Sequence, residues 1–142
     1  MAFSHGKGAA FSLDDATGTL TDISTFLDEV SFPSSIETGE TTTFQSPGAA
    51  KTYVPGLRDA TFSLSGKFDP TADALFEGLI AAQAAGSAAA DFSYGPAGSA
   101  SSAVKYEGAA WVTGYDISTP VADVVTFSVD LQVTGQVTRG TF

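Results

Sequence analysis

The chain has 142 residues, which fits one domain of roughly 100 to 150 residues, long enough to bury about two-thirds of its unfolded surface. Its hydrophobic fraction is 43% and its charged fraction 15%, yet 6 Lys and Arg against 16 Asp and Glu leave a net charge of −10. That balance disfavours tight binding to nucleic acid, where cations must displace phosphate counterions, and the absence of cysteine excludes disulfides and thiolate metal sites.

The opening stretch, residues 1–8, lacks the basic-then-apolar order of a secretory signal and is expected to be a mobile arm. No apolar run approaches the roughly 20 residues of a membrane helix, so no membrane partner is expected and assembly is expected in a cytoplasm. Ala10 to Asp14 is predicted as a short strand. Asp14-Asp15-Ala16-Thr17-Gly18 lacks the alternating ligand spacing of a calcium loop and reads as a hairpin turn. Asp22 to Phe32 is predicted as a further strand. The segment from Pro33 to Pro55 holds Pro33, Gly39, Pro47, Gly48 and Pro55 with little apolar periodicity, and is predicted as a long irregular loop. Loops of that length are usually functional or disordered. The apolar anchors Ile36, Phe44, Tyr53 and Val54 favour a loop that docks on something else.

Thr61 to Phe68 alternates as a strand, with Phe62, Leu64 and Phe68 on one face and Gly66 where a neighbour approaches closely. The one predicted helix runs from Pro70 to Ala85. Asp69 is its N-cap, Pro70 suits the first position, and Asp73 and Glu77 complement the dipole. Ala72, Leu75, Phe76, Leu79, Ile80 and Gln83 form the packed face, and Gly86 is the stop. Ala90 to Tyr94 and Val104 to Ile117 are predicted strands, separated by a small-residue loop at Gly95 to Ala103. In the latter strand Val104, Tyr106, Ala110 and Val112 oppose Lys105, Glu107 and Trp111. The clearest strand spans residues 125–134, where Val125, Phe127, Val129, Leu131 and Val133 alternate with Thr126, Ser128, Asp130, Gln132 and Thr134, leaving a face that needs water or a solvated partner.

The sequence is poor in chemistry. His5 is the single histidine and sits in the terminal arm, no Gly-x-Ser-x-Gly elbow occurs, and Gly6-Lys7-Gly8 lacks the glycine frame of a phosphate loop. With 6 basic residues scattered along the chain, the aromatics around Trp111 suit packing and interfaces better than base stacking. No catalytic residue, metal site or cofactor is predicted, and the chain is expected not to be an enzyme.

Thr41-Thr42-Thr43-Phe44, followed by Ala50-Lys51-Thr52-Tyr53-Val54-Pro55-Gly56-Leu57-Arg58-Asp59 and the strand to Phe68-Asp69, resembles the major tail proteins of long-tailed bacteriophages. In that family a Thr-rich stretch ending in Phe leads to a Pro-Gly-Leu-basic-Asp turn and a Ser/Thr-alternating strand. Gly6-Lys7-Gly8, Thr21-Asp22-Ile23-Ser24 and the closing Gln132-Val133-Thr134-Gly135 extend the resemblance over nearly the whole chain.

The resemblance implies a single tail-tube domain over residues 1–142, a mainly β sandwich or half-barrel of antiparallel strands with one flanking helix. It also implies a virion protein whose copies form rings, six to a ring, stacked into a tube that conducts DNA without binding it specifically. Its partners would be itself and the terminator, tape-measure and distal tail proteins. The loop at residues 33–55, through Ile36, Phe44, Tyr53 and Val54, is the expected contact with a neighbouring subunit or ring. The face carrying Ser128, Asp130, Gln132, Thr134 and Gln136 is the expected lumen lining. Arm and loop are expected to become ordered only on assembly. The competing readings are a head–tail terminator or secretion-tube ring protein, and a capsid-decorating or carbohydrate-binding sandwich with a pocket at Trp111.

Overall fold

A computed structural model of the chain describes residues 3, 5–45 and 47–142; Met1, Ala2 and Ser4 of the N-terminal arm and Ser46 of the 33–55 segment lie outside the described residues. Among the described residues eight strands and one α-helix follow in chain order: β1 Ala10–Asp14, β2 Leu20–Asp22, β3 Leu27–Ser31, β4 Ser34–Glu40, β5 Tyr53–Lys67, α1 Pro70–Ala84, β6 Ala90–Gly95, β7 Val104–Ser118 and β8 Thr126–Thr141. The strands form one antiparallel sheet in the order β2-β1-β6-β7-β8-β5-β3, with β4 paired to β5 off this path.

β2 and β3 stand at opposite ends of that order, yet only four residues separate them in the chain. A connection so short brings the two ends of the sheet together, so the sheet curls into a half-barrel. A 3-10 turn at Ser24–Phe26 makes the join. There the join takes the place of a strand neighbour for Phe11: the Ser24 hydroxyl accepts from the Phe11 N–H at 2.8 Å and donates to the Asp22 carboxylate at 2.5 Å, and the Phe11 carbonyl accepts from the Ile23 N–H at 3.0 Å.

One face of the curled sheet is the core. Phe62 lies opposite Leu131, which lies opposite Val112, and Leu64 lies opposite Val129. All five are buried. Aromatic rings fill the space between: Phe32 stacks on Phe62 at 4.2 Å, and Phe11 meets Phe62 edge-on at 5.1 Å, a geometry that adds to their area burial. Gly66 is forced by close approach. A Cβ there would overlap the backbone of Phe26 and Leu27.

α1 begins where the caps place it, with the Asp69 carboxylate accepting from the Thr71 N–H at 2.8 Å. Ala72, Leu75, Phe76 and Leu79 bury one stripe, and the chain turns away at Gly86, whose φ is +92°. At its C-terminal end the Gln83 amide donates to the Val112 carbonyl at 3.0 Å and accepts from the Val112 N–H at 2.7 Å. β6 pairs with β7 only as far as Ala110, so Gln83 supplies the backbone-like partner that β6 no longer provides. Tyr115 ties down the other end, its hydroxyl donating to Asp73 at 2.9 Å.

The β1–β2 connection is the expected hairpin turn. The Asp15 carboxylate accepts from the N–H groups of Thr17 and Thr19 at 2.9 and 3.0 Å, and Gly18 takes a φ of +86°. The Thr17 hydroxyl, followed by these backbone donors, holds Asp15 below the usual carboxylate range.

Three expectations need correction. The predicted strand from Asp22 to Phe32 is interrupted by the 3-10 turn, because the chain must cross there from one end of the sheet to the other. The segment from Pro33 to Pro55 is not a structureless loop: β4 pairs antiparallel with the first part of β5, from Ser34 opposite Ala60 to Glu40 opposite Tyr53. The stretch from Pro55 to Asp59, expected as a turn, is therefore strand, with a register irregularity opposite Ile36 and Thr38. Apolar alternation was missing because neither face of this ribbon is buried, so no selection for one apolar side exists.

Candidate assembly surfaces

Two surfaces stand out, and both follow from strand geometry. The first is the β4–β5 ribbon, which leaves the half-barrel as a continuation of β5. Every residue of β4, and β5 from Tyr53 to Asp59, is exposed. A two-stranded ribbon is at best marginally stable in water by itself. Ile36, Tyr53 and Val54 lie on its strands and Phe44 in the connection between them, and all are exposed. Tyr53 and Val54 are consecutive in a strand and so point to opposite faces, which makes the ribbon apolar on both sides. Leu57, 77% exposed, is a fifth apolar group that sequence reasoning missed. At the turn the hydroxyls of Thr41 and Thr52 meet at 2.7 Å, and the Thr52 N–H donates to Thr42 Oγ1 at 2.9 Å.

The second surface is the sheet face opposite the core. Residues directly opposite on adjacent antiparallel strands share a face. Ser128 lies between Ser65 and Asp116, Asp130 between Ser63 and Gly114, and Gln132 between Thr61 and Trp111. Thr134 continues the row opposite Ala109. Gln136 lies beyond the irregularity at Gly135, where it lines a groove with Asp91, Glu107 and Thr138. The structure thus gathers Ser128, Asp130, Gln132 and Thr134 on one polar face and adds Ser63, Ser65 and Asp116, which the sequence did not single out.

Hydrogen bonds knit this face together. Ser63 Oγ donates to Asp130 at 3.3 Å, and Gln132 Nε2 donates to Asp59 at 2.7 Å. Among the described residues two lysines reach the face, and each has a carboxylate partner: Lys67 with Asp28 and Lys105 with Glu107, both at 3.2 Å. Asp59, Asp116 and Asp130 have no such cation, so the face is net acidic.

The two surfaces differ in character. What they offer is an exposed apolar ribbon and a broad, wet, acidic sheet. Comparison with known proteins agrees with that emphasis. A family model described as phage tail tube protein matches residues 5–139. No curated protein matches the sequence. Among solved structures, the tail of an empty gene transfer agent particle, refined with C6 symmetry, superposes with a TM-score of 0.80 at 18% identity, covering 98% of this chain and 100% of that one. A sheath–tube complex of a PVC extracellular contractile injection system gives 0.71 at 16% identity over 99% and 93%. The SPP1 tail tube gives 0.69 at 17% identity over 99% and 80%. The fold is that of these tubular assemblies, and the match over residues 5–139 shows that the chain belongs to the phage tail tube protein family.

Proposed function

We propose that copies of this chain close into rings, six to a ring, and that the rings stack into the tail tube of a virion, with the acidic sheet face lining the lumen. The observation that carries the reading is the four-stranded polar face of β3, β5, β8 and β7. It is polar, hydrogen-bonded within itself and, among the described residues, each lysine on it is paired with a carboxylate, which suits a conduit that passes DNA without holding it. At the margins of that face two strand edges have no strand neighbour among the described residues: the outer edge of β3, and β7 beyond Val112, whose own backbone groups Gln83 has taken. Exposed edges invite pairing with another chain, and a head-to-tail contact that closes by rotation removes them. The C6 symmetry of the gene transfer agent tail supports six as the ring number. Ile36, Phe44, Tyr53 and Val54 would carry the arm's contact with a neighbouring subunit or ring. Terminator, tape-measure and distal tail proteins would meet the ends and lumen of the tube, which is put together in the host cytoplasm. The role is structural and needs no catalysis.

Negative-stain microscopy of the purified protein tests this directly. Filaments with an axial channel are expected, and a protein that stays monomeric at high concentration refutes the reading. The lumen assignment has its own test, because the chain has no other thiol. Ser128→Cys in filaments should react with a small maleimide but be shielded from one carrying a long polymer. Equal reaction with both places that face outside.

A further inference from the structure

Arg58 and Arg139 are far apart in sequence, and no other arginine occurs in the chain. The fold brings both to one cleft of about 510 Å³, lined also by Phe32, Ser34, Tyr94 and Tyr106. Strand alternation explains the meeting. Arg58 continues the row of Ala60, Phe62 and Leu64, which face the core, and Arg139 follows Val137, which packs against it. Tyr106 lies opposite both Arg139 and Tyr94, so all three share that face.

The nearby carboxylates do not enter the cleft. Asp59, between Arg58 and Ala60, points the other way and accepts from Gln132. Glu107 lies opposite Thr138, on the face away from Tyr106, and is paired with Lys105. Ile36 lies opposite Arg58, which turns Glu37 to the other side, while Glu40 stands four residues nearer the arm tip, about 13 Å away. Among the described residues neither arginine makes an ion pair, and the phenols of Tyr94 and Tyr106 have no hydrogen-bond partner. Burial, then the neighbouring Tyr106, raises the Tyr94 phenol above its ordinary value and keeps it a donor. Phe32 meets Tyr106 edge-on at 5.5 Å, and Tyr94 stacks beside Tyr106 at 6.4 Å. Guanidinium, phenol and hydroxyl donors thus surround an aromatic floor that none of the described carboxylates approaches.

We propose that this cleft binds a carboxylate carried on an apolar body. The arginines hold the carboxylate through paired N–H donors, and the rings take the apolar part. The volume is that of a small-ligand site. Charge narrows the class further. A net charge of −10 repels polyanions at long range, so a single carboxylate with apolar surface is favoured over a polyphosphate or a nucleic acid, whose repulsion grows with each charge. A free organic acid and an acidic residue beside an apolar one in a polypeptide share that chemistry. The site is separate from the polar sheet face and does not depend on stacking into a tube.

Two probes separate the sources: phenylacetate, and a tetrapeptide with blocked termini that carries Glu next to Phe. Each is titrated into the unassembled full-length protein, and binding is read from the NMR shifts of the Tyr94 and Tyr106 rings and the arginine Nε–H groups. Saturable shifts at these groups are expected. Arg58→Gln or Arg139→Gln should weaken binding by about tenfold or more. Lys51→Gln, which removes an exposed cation outside the cleft, should change it by less than about twofold. Both arginines are exposed, so their variants should melt with the parent. A peptide that binds at least about tenfold tighter than phenylacetate assigns the site to a polypeptide, and comparable or weaker peptide binding assigns it to a free acid. Failure of both probes to bind, arginine variants that bind as the parent does, or inorganic phosphate binding more tightly than both probes each overturn the proposal.

Discussion

Gly66 offers a sharp test of how the half-barrel closes. Replacing it by alanine adds one carbon, which would lie 2.8 Å from the Phe26 carbonyl carbon and 2.9 Å from Leu27 Cα, and closer still to the Phe26 oxygen. Ordinary contacts between such atoms begin near 3.4 Å, so the backbone at Phe26 and Leu27 must retreat by about 1 Å. A side chain could swing aside; a backbone crossing from β2 to β3 in four residues cannot. Overpacking costs about 1–3 kcal/mol where side chains adjust, and this case belongs near 3. With an unfolding entropy of about 2.1 cal/mol/K per residue, 142 residues give about 0.3 kcal/mol/K, so Gly66→Ala should lower the melting temperature by about 10 °C. Gly140→Ala is the control, because nothing lies within 4 Å of a Cβ at that position; it should shift the midpoint by less than about 2 °C. Both are read by thermal unfolding followed by circular dichroism. A Gly66→Ala protein that melts with the parent would show that the β2–β3 crossing is not packed against β5 as described.

Gln83→Met removes both hydrogen bonds to Val112 and keeps the side chain's bulk; a loss of about 1–3 kcal/mol is expected, with faster hydrogen exchange at the Val112 amide by NMR. Leu131→Ala opens a cavity in the middle of the core and should cost about 2–5 kcal/mol by urea unfolding. Burial, then the bond to Asp73, pushes the Tyr115 phenol above its ordinary value, and burial does the same for Tyr94. The unfolded phenol ionises first, near pH 10, so their contribution is fully present below about pH 10 and falls as pH rises past it. Tyr115→Phe should therefore flatten the alkaline loss of stability measured by thermal unfolding between about pH 9 and 11.

Helix and core strands were legible because burial imprints periodicity. α1 carries both end signals, Asp69-Pro70 and Gly86, around a 3.6-residue stripe, and it was placed to within a residue. Phe127, Val129, Leu131 and Val133 mark one face of β8 at period two, and that alternation alone located Ser128, Asp130, Gln132 and Thr134 opposite the core. The same strand is not legible beyond Thr134, because Gly135, at φ +80°, breaks the alternation before β8 resumes. β4 was invisible for the opposite reason: with both faces in solvent it has no period to read. Leu57 was hidden by Pro55-Gly56, which reads locally as a turn and is strand only because β4 pairs with it. Ser63 and Asp116 join the polar face through registers between distant segments, which one sequence does not display.

β5 belongs to two structures at once. Its C-terminal part, from Thr61, is paired into the barrel wall against β8, and its N-terminal part forms one side of the arm without an intervening hinge loop. The arm portion is 8 residues by the register from Tyr53 to Ala60, which at about 3.3 Å per residue makes a lever of about 26 Å. A rotation of about 5° in the barrel wall would move the tip by about 2 Å, the scale at which packed contacts break or re-form. Whatever distorts the barrel wall is thus delivered, enlarged, to the tip of the arm.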